Sequence, residues 1–436
     1  MTLYQNTNFW HLCKKYIFPN AISAAFFSAY MVIDGIIVGR FLGSEALAAM
    51  GLVMPFVMMS FALADMIAIG SSVQISLRLG EGRLKEAREL FSACVCLIVG
   101  VSCVLGLLAY FGVELFLGFM EAPTAVETLC VEYSRVLALF MPIITLSYAL
   151  DNYLRICEKG VYNMFVGIIT VVSNVCLMYL FVALLEFNLF GAALALCLGL
   201  STGTILSLLP FFRENLVLKF CPPKLTLSRL GNILYNGSSE FLSSISGSLF
   251  LIFANSVLLK LSGSLGVAAF SAILYIDGFI ISAIMSFNSS LQPILSYFFA
   301  QKNRTKIKLI LRYLLYINAV FSLFVFVILA LFREQISGFF GKDIEFIAFV
   351  SFALLLYNFN YLVAWFNVLV SAILTAFNKP TSSMILSLAN SLIIPLFFLF
   401  LMSSYLGTKG VFLAPFCAEL VILFLSASLL KKSLNF

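Results

Sequence analysis

Run after run of about twenty apolar residues leaves this chain one kind of architecture. Twelve stretches, near 16–39, 46–77, 90–112, 129–153, 162–185, 190–212, 231–259, 265–299, 309–332, 346–376, 382–405 and 409–430, are each long and apolar enough to cross a bilayer. Hydrocarbon offers no water to backbone N–H and C=O groups, so each crossing must satisfy them internally as an α-helix. The expected fold is an all-α polytopic membrane protein with twelve transmembrane helices. Composition removes the soluble alternative: 62% of residues are apolar and 11% charged, against roughly 25% charged in soluble domains. With lipid as the main partner, the net charge of +6 carries no implication of nucleic-acid binding, and none is expected.

The placement of the basic residues carries more than their sum. If residue 1 lies inside, 20 of the 26 Lys and Arg fall in cytoplasmic segments, from Lys14 and Lys15 through the cluster Lys302–Arg312 to Lys431 and Lys432. Arg40, Arg135, Lys260, Arg333, Lys342 and Lys409 fall on the far side, where the loop after the third span carries Glu114, Glu121 and Glu127. The positive-inside rule then puts both termini in the cytoplasm. Residues 1–15 are too polar for a secretory signal. The ten cysteines sit mostly within apolar runs, without a CxxC pair, and His11 is the sole histidine. They read as packing residues, and neither a metal site nor a cofactor is expected.

The longest polar interruption, Arg213–Arg229 with Cys221-Pro222-Pro223-Lys224, falls near the middle of the chain. Displacing the second half by 220 residues brings Gly43-Ser44 onto Gly263-Ser264, Ala48-Ala49 onto Ala268-Ala269, Ser76 onto Ser296 and Lys159 onto Lys379. The expectation is an N-lobe over 1–212, a cytoplasmic connector over 213–230 and a C-lobe over 231–436. Because each repeat has an even number of helices, the lobes share one orientation, related by a pseudo-twofold along the membrane normal with a cleft between them.

Acids inside spans are the candidate functional residues, since a mid-span Asp costs about 2.5–3.5 kcal/mol on insertion scales and persists only where it faces protein or a wet cavity. Asp34 follows Tyr30 by four residues, on one helix face. Glu240 shares a polar stripe with Asn236, Ser243, Ser244 and Gly247. Asp65 and Asp277 are mid-span acids of the second and eighth runs, either cavity-facing or satisfied by a neighbouring helix. Asp151, in the fourth run, either serves the Asp34 network or pairs with Arg155 four residues on.

Several motifs in order resemble the multidrug and toxic compound extrusion (MATE) family. These are Pro19 with Ile33-Asp34-Gly35 and Val38-Gly39, Gly43-Ser44-Glu45-Ala46-Leu47-Ala48-Ala49, Ile69-Gly70-Ser71-Ser72 running to Leu79-Gly80-Glu81-Gly82, Asn163, Gly191-Ala192-Ala193-Leu194-Ala195, Asn236-Gly237-Ser238-Ser239-Glu240-Phe241 and Gln292-Pro293-Ile294-Leu295-Ser296-Tyr297. The resemblance, closest to a bacterial branch of the family, implies an antiporter of a bacterial inner membrane that exports organic cations or amphiphiles by alternating access, coupled to H+ or, alternatively, Na+; a monomer is expected. It implies Asp34 beside Tyr30 as the N-lobe coupling acid, completed by Asn174, and Glu240 as the C-lobe acid. This chain departs from the pattern at three places. Met178 stands where many members carry a second Asp, Leu196 replaces a Thr, and Ala364 takes the tenth-helix position where sodium-binding members place an Asp. Three other readings stand beside it: a lipid-linked saccharide flippase of the same superfamily, against which the mid-span charges here are acids; an ion channel, which would not need two dissimilar lobes with acids in each; and a membrane-embedded enzyme, for which no cluster of His, Cys or paired acids at one depth is visible.

Overall fold

A computed structural model of the chain describes residues 8–119, 124–213, 215–340 and 344–434. The expected positions Glu121 and Lys342 lie outside the described residues. Among those described, every regular element is helical. The helices are α1 (9–41), α2 (Gly43–Gly80), α3 (Leu84–Phe119), α4 (Thr124–Ile156), α5 (Gly160–Leu184), α6 (Asn188–Arg213), α7 (Leu227–Gly263), α8 (Ala268–Ala300), α9 (Arg304–Gly338), α10 (Ile344–Asn358 and Tyr361–Ala376), α11 (Pro380–Leu406) and α12 (Thr408–Leu434). Most run several residues past their apolar stretches, because charged residues at the ends continue the helix into the interfacial layer. Phe111, Leu331 and Phe424 are exposed on helix surfaces, while serines and asparagines such as Asn236, Asn318 and Asn358 are buried. That distribution suits lipid as the solvent, and twelve helices in two lobes is the fold expected from the sequence.

Local chemistry explains the irregularities. Pro19 and Pro395 cannot donate to the carbonyl four residues back. In both cases the helix widens into a π-turn just upstream, at Cys13–Ile17 and Ala389–Ile393. The Lys15 carbonyl, four residues before Pro19, faces Gly160 at the start of α5. Between helices, left-handed residues make the turns: Gly82 between α2 and α3, and Glu158 between α4 and α5. The same conformation returns 220 residues later at Lys302 and Asn378. A repeat barely visible as residue identity is thus preserved as backbone geometry.

Two compact units emerge, Met1–Gly237 and Ser238–Phe436. The division falls inside α7 rather than in the polar connector. Within the first unit α4 is the hub, packed against α2, α3 and α6. The connector is strapped to α3: Arg88 Nε donates to the Val217 carbonyl (2.8 Å), the Cys221 N–H donates to Ser92 Oγ (3.0 Å), and Leu218 is buried. Arg229 reaches Glu86 at 3.1 Å, so the opening turn of α7 is tied to the same unit. Backbone meets backbone where α7 crosses α2, since a Cβ on Gly237 would overlap the Met66 carbonyl and one on Gly70 the Ile233 carbonyl. Gly237→Val should therefore lower stability by about 1–3 kcal/mol or more through overpacking. Thermal unfolding in detergent measures it, and an unchanged midpoint would remove the claim of a tight crossing. In the second unit α12 packs on α11 and on the second half of α10.

Candidate functional site

Tyr30 and Asp34 sit one turn apart on α1, and the Tyr30 hydroxyl donates to Asp34 Oδ1 at 3.1 Å with both residues buried. Tyr133 of α4 stands beside this pair, and Asn174 of α5 faces the Tyr30 hydroxyl. Asn174 is buried, and its Oδ1 has no hydrogen-bond partner. It reaches its position because α6 offers Gly199, where an added Cβ would press on the Asn174 side chain at 2.7 Å. Met178, at the position of the missing second acid, lies in an apolar cluster with Val38 and Tyr133. The first unit therefore holds one carboxylate among two hydroxyls and an amide, and no basic side chain among the described residues pairs with Asp34. A carboxyl so placed can exchange a proton or meet a cation brought from outside.

Asp151 does not join that group. Its Oδ2 is ion-paired with Arg155 Nη2 and its Oδ1 accepts from Asn163 Nδ2. Asn163 lies eleven residues before Asn174 on α5, roughly 16 Å at 1.5 Å per residue, so one carboxylate cannot serve both places. The expectation that Asp151 supports the Asp34 network is corrected on this ground. Arg155 is buried and also attracts Asp65 of α2, with Tyr148 beside that acid. Asp65 is thus an acid answered by a neighbouring helix.

In the second unit Glu240 is half-buried on α7, and Ser244 Oγ donates to its carbonyl oxygen at 3.1 Å. Asp277 has neighbours that sequence did not supply. Tyr357 and Tyr361, either side of a 49° break in α10, turn toward it, and Glu419 of α12 stands close enough for the two carboxylates to repel. Asn367 Nδ2 donates to Glu419 Oε2 at 2.5 Å and to the Glu419 carbonyl at 3.0 Å. Glu419 is the residue sequence reading missed. Its signal was a lone carboxylate within the last apolar run, of the same kind that singled out Asp34. Ala364 is buried, and the mid-span acids of the second unit lie on α7, α8 and α12.

A helical membrane protein with carboxylates set within the helices of each unit has the build of a secondary transporter. Residues 19–180 and 241–401 each match the MatE family. The chain belongs to that family, which makes it a transporter rather than an enzyme. The two matches, one per half, also account for the recurring turns. It is 24% identical over 412 residues to the multidrug export protein MepA of Staphylococcus saprophyticus, covering 90% of this chain and 88% of that one. Among solved structures it resembles a MOP-superfamily transporter from Pyrococcus furiosus (TM-score 0.91, 22% identity, 97% of this chain and 95% of that one). It also resembles a mutant of the Vibrio cholerae MATE transporter VcmN (TM-score 0.91, 19% identity, 99% and 98%).

Proposed function

We propose that this protein is a proton-driven antiporter that exports small organic cations or amphiphilic drugs across a bacterial inner membrane by alternating access, working as a monomer. The observation that carries the reading is the buried Tyr30–Asp34 pair with no basic partner among the described residues. A proton and a cationic substrate can then hold the same carboxylate in turn, and each stabilises the conformation in which it binds better. The similarity to a multidrug export protein supports the substrate class. The test is efflux of a fluorescent cation from vesicles containing purified protein, with equal sodium on both sides. An imposed proton gradient should drive it. Efflux that ignored the proton gradient and followed only a sodium gradient would overturn the choice of ion.

Two further outcomes belong to this reading. With both termini and the connector cytoplasmic, an introduced cysteine at the exposed Asn215 should resist an impermeant thiol reagent added to intact cells and react in inverted vesicles. Background labelling from Cys157 is not expected, because burial pushes its thiol up to about 12. Labelling from outside would reverse the orientation. Glu240→Gln should reduce efflux only in part, since its tenth-helix counterpart is Ala364. Complete loss at normal protein level would make Glu240 the principal acid.

A further inference from the structure

The opening turns of α9 carry Lys308 and Arg312, both exposed, and the second unit supplies no acid to meet them. The sequence has no Asp or Glu between Gly278 and Arg333, and the neighbouring helix ends add only Lys379, Lys431 and Lys432. Lys306 is turned back over the Phe298 ring of α8 at 4.6 Å, so it does not share the outward face. The matching end of α3, 220 residues earlier and after the same left-handed turn at Gly82 and Lys302, is built differently. There Arg88, the counterpart of Lys308, donates to the Val217 carbonyl, and Ser92, the counterpart of Arg312, accepts from the Cys221 N–H. Glu86 and Glu89 take up Arg229 and Lys224. The connector thus covers that face of α3, whereas the same two positions of α9 are cations open to the surroundings.

Depth in the membrane decides what can cover them. Residues 313–332 contain no charged side chain, and from Arg312 to Arg333 the helix rises about 32 Å at 1.5 Å per residue, close to the roughly 30 Å of hydrocarbon in a bilayer. Arg312 therefore lies in the headgroup layer rather than in the aqueous loop. Continuing from it in steps of four, Tyr316, Val320 and Phe324 are exposed on the same side of the helix, followed by Val327 and Leu331. A tyrosine at headgroup level with an apolar strip beneath it is the pattern of a lipid-facing surface. Orientation by the positive-inside rule needs only charge in the loop, and does not ask for two cations one turn apart on the lipid side of a helix.

We propose that this end of α9 binds an anionic phospholipid, its phosphate held by Lys308 and Arg312 and an acyl chain lying along Val320, Phe324 and Val327. The guanidinium presents two parallel N–H donors that match two phosphate oxygens, and the ammonium adds a point charge one turn away. Basic residues at the headgroup level of a membrane helix are the usual means of holding such lipids. A water-soluble anion would meet the two cations and leave the apolar strip beneath them unused, and an acidic protein would have to enter the headgroup layer to reach Arg312. The site is separate from Asp34 and goes beyond the export reading.

The experiment measures lipid binding rather than transport, so its failure is separable from that of the export reading. The two native tryptophans, Trp10 and Trp365, are replaced by Phe, and Tyr316→Trp places a single reporter beside Arg312. The protein is reconstituted in mixtures of phosphatidylcholine and phosphatidylglycerol in which one or the other carries brominated chains that quench tryptophan. Half-maximal quenching should need about tenfold less phosphatidylglycerol than phosphatidylcholine. The preference should disappear in Lys308→Gln/Arg312→Gln and persist within about twofold in Lys431→Gln/Lys432→Gln, which removes the same charge from the same end of the unit. Equal quenching by the two lipids would overturn the proposal. So would a preference kept by the first double variant, or one lost equally in the second, since that would mark general surface attraction. Should the first double variant fail to accumulate, Arg312→Gln alone carries the test. It should lower the preference about fivefold, and an unchanged preference would remove the site.

Discussion

Asp34→Asn is expected to bring efflux under an inward proton gradient down to the level of protein-free vesicles while the amount of protein in the membrane holds. The substitution keeps size and shape, and the Asn Oδ1 can still accept from the Tyr30 hydroxyl that now reaches Asp34 at 3.1 Å. It also removes an insertion cost of about 2.5–3.5 kcal/mol, so folding has no reason to suffer. What is lost is a group that can carry a charge in one conformation and a proton in another. Because Met178 stands where a second acid would be and is buried among apolar residues, the first unit has no carboxylate at hand to take over. Asp151 is held by Arg155 and Asn163. Efflux at the wild-type rate in this variant would end the proposed role of Asp34. Tyr30→Phe separates exchange from positioning: it should lower the rate and move the pH profile without abolishing transport.

The fold was legible because a bilayer permits few solutions, and the apolar runs gave nearly every helix. Features that depend on neighbours were not legible. Nothing in Cys13–Ile17 announces a π-turn, although Pro19 supplies the cause. The connector read as a polar interruption and is in fact strapped to α3 through Arg88 and Ser92. Among the site residues, the Tyr30–Asp34 pair could be read because helical spacing alone brings the two together. Asp151 could not be decided, since its i,i+4 partner Arg155 was visible but Asn163, on another helix, was not. Glu419 escaped because its significance comes from Asn367 and Asp277, 52 and 142 positions away in sequence and adjacent only in the fold.

The two units share a backbone plan and differ in what they do with charge. In the first, Asp34 meets only hydroxyls and an amide, while a second group gathers around a buried cation, Arg155, with Asp151 and Asp65. In the second, no basic side chain among the described residues answers Asp277 or Glu419.

The fixed guanidinium also sets the second large effect. Arg155→Ala should destabilise the first unit by about 3–5 kcal/mol, the usual consequence of deleting one partner of a buried ion pair. It leaves Asp151 and Asp65, both only partly buried, without the guanidinium that answers them. Because the Asp151 side chain is 36% exposed while that of Arg155 is 8% exposed, water can relieve part of the loss, and the lower end of the range, about 3 kcal/mol, is expected. Arg155→Lys should recover little, since a single ammonium cannot reproduce the planar donors that address Asp151 while attracting Asp65. Neutralising the stranded acids in the Ala background, with Asp65→Asn and Asp151→Asn together, should restore most of the unfolding midpoint, because the cost lies in uncompensated charge rather than in lost packing. Thermal unfolding of the single and triple variants decides it. A triple variant no more stable than Arg155→Ala would show that the side chain acts through its packed volume, and the electrostatic account of this cluster would fall.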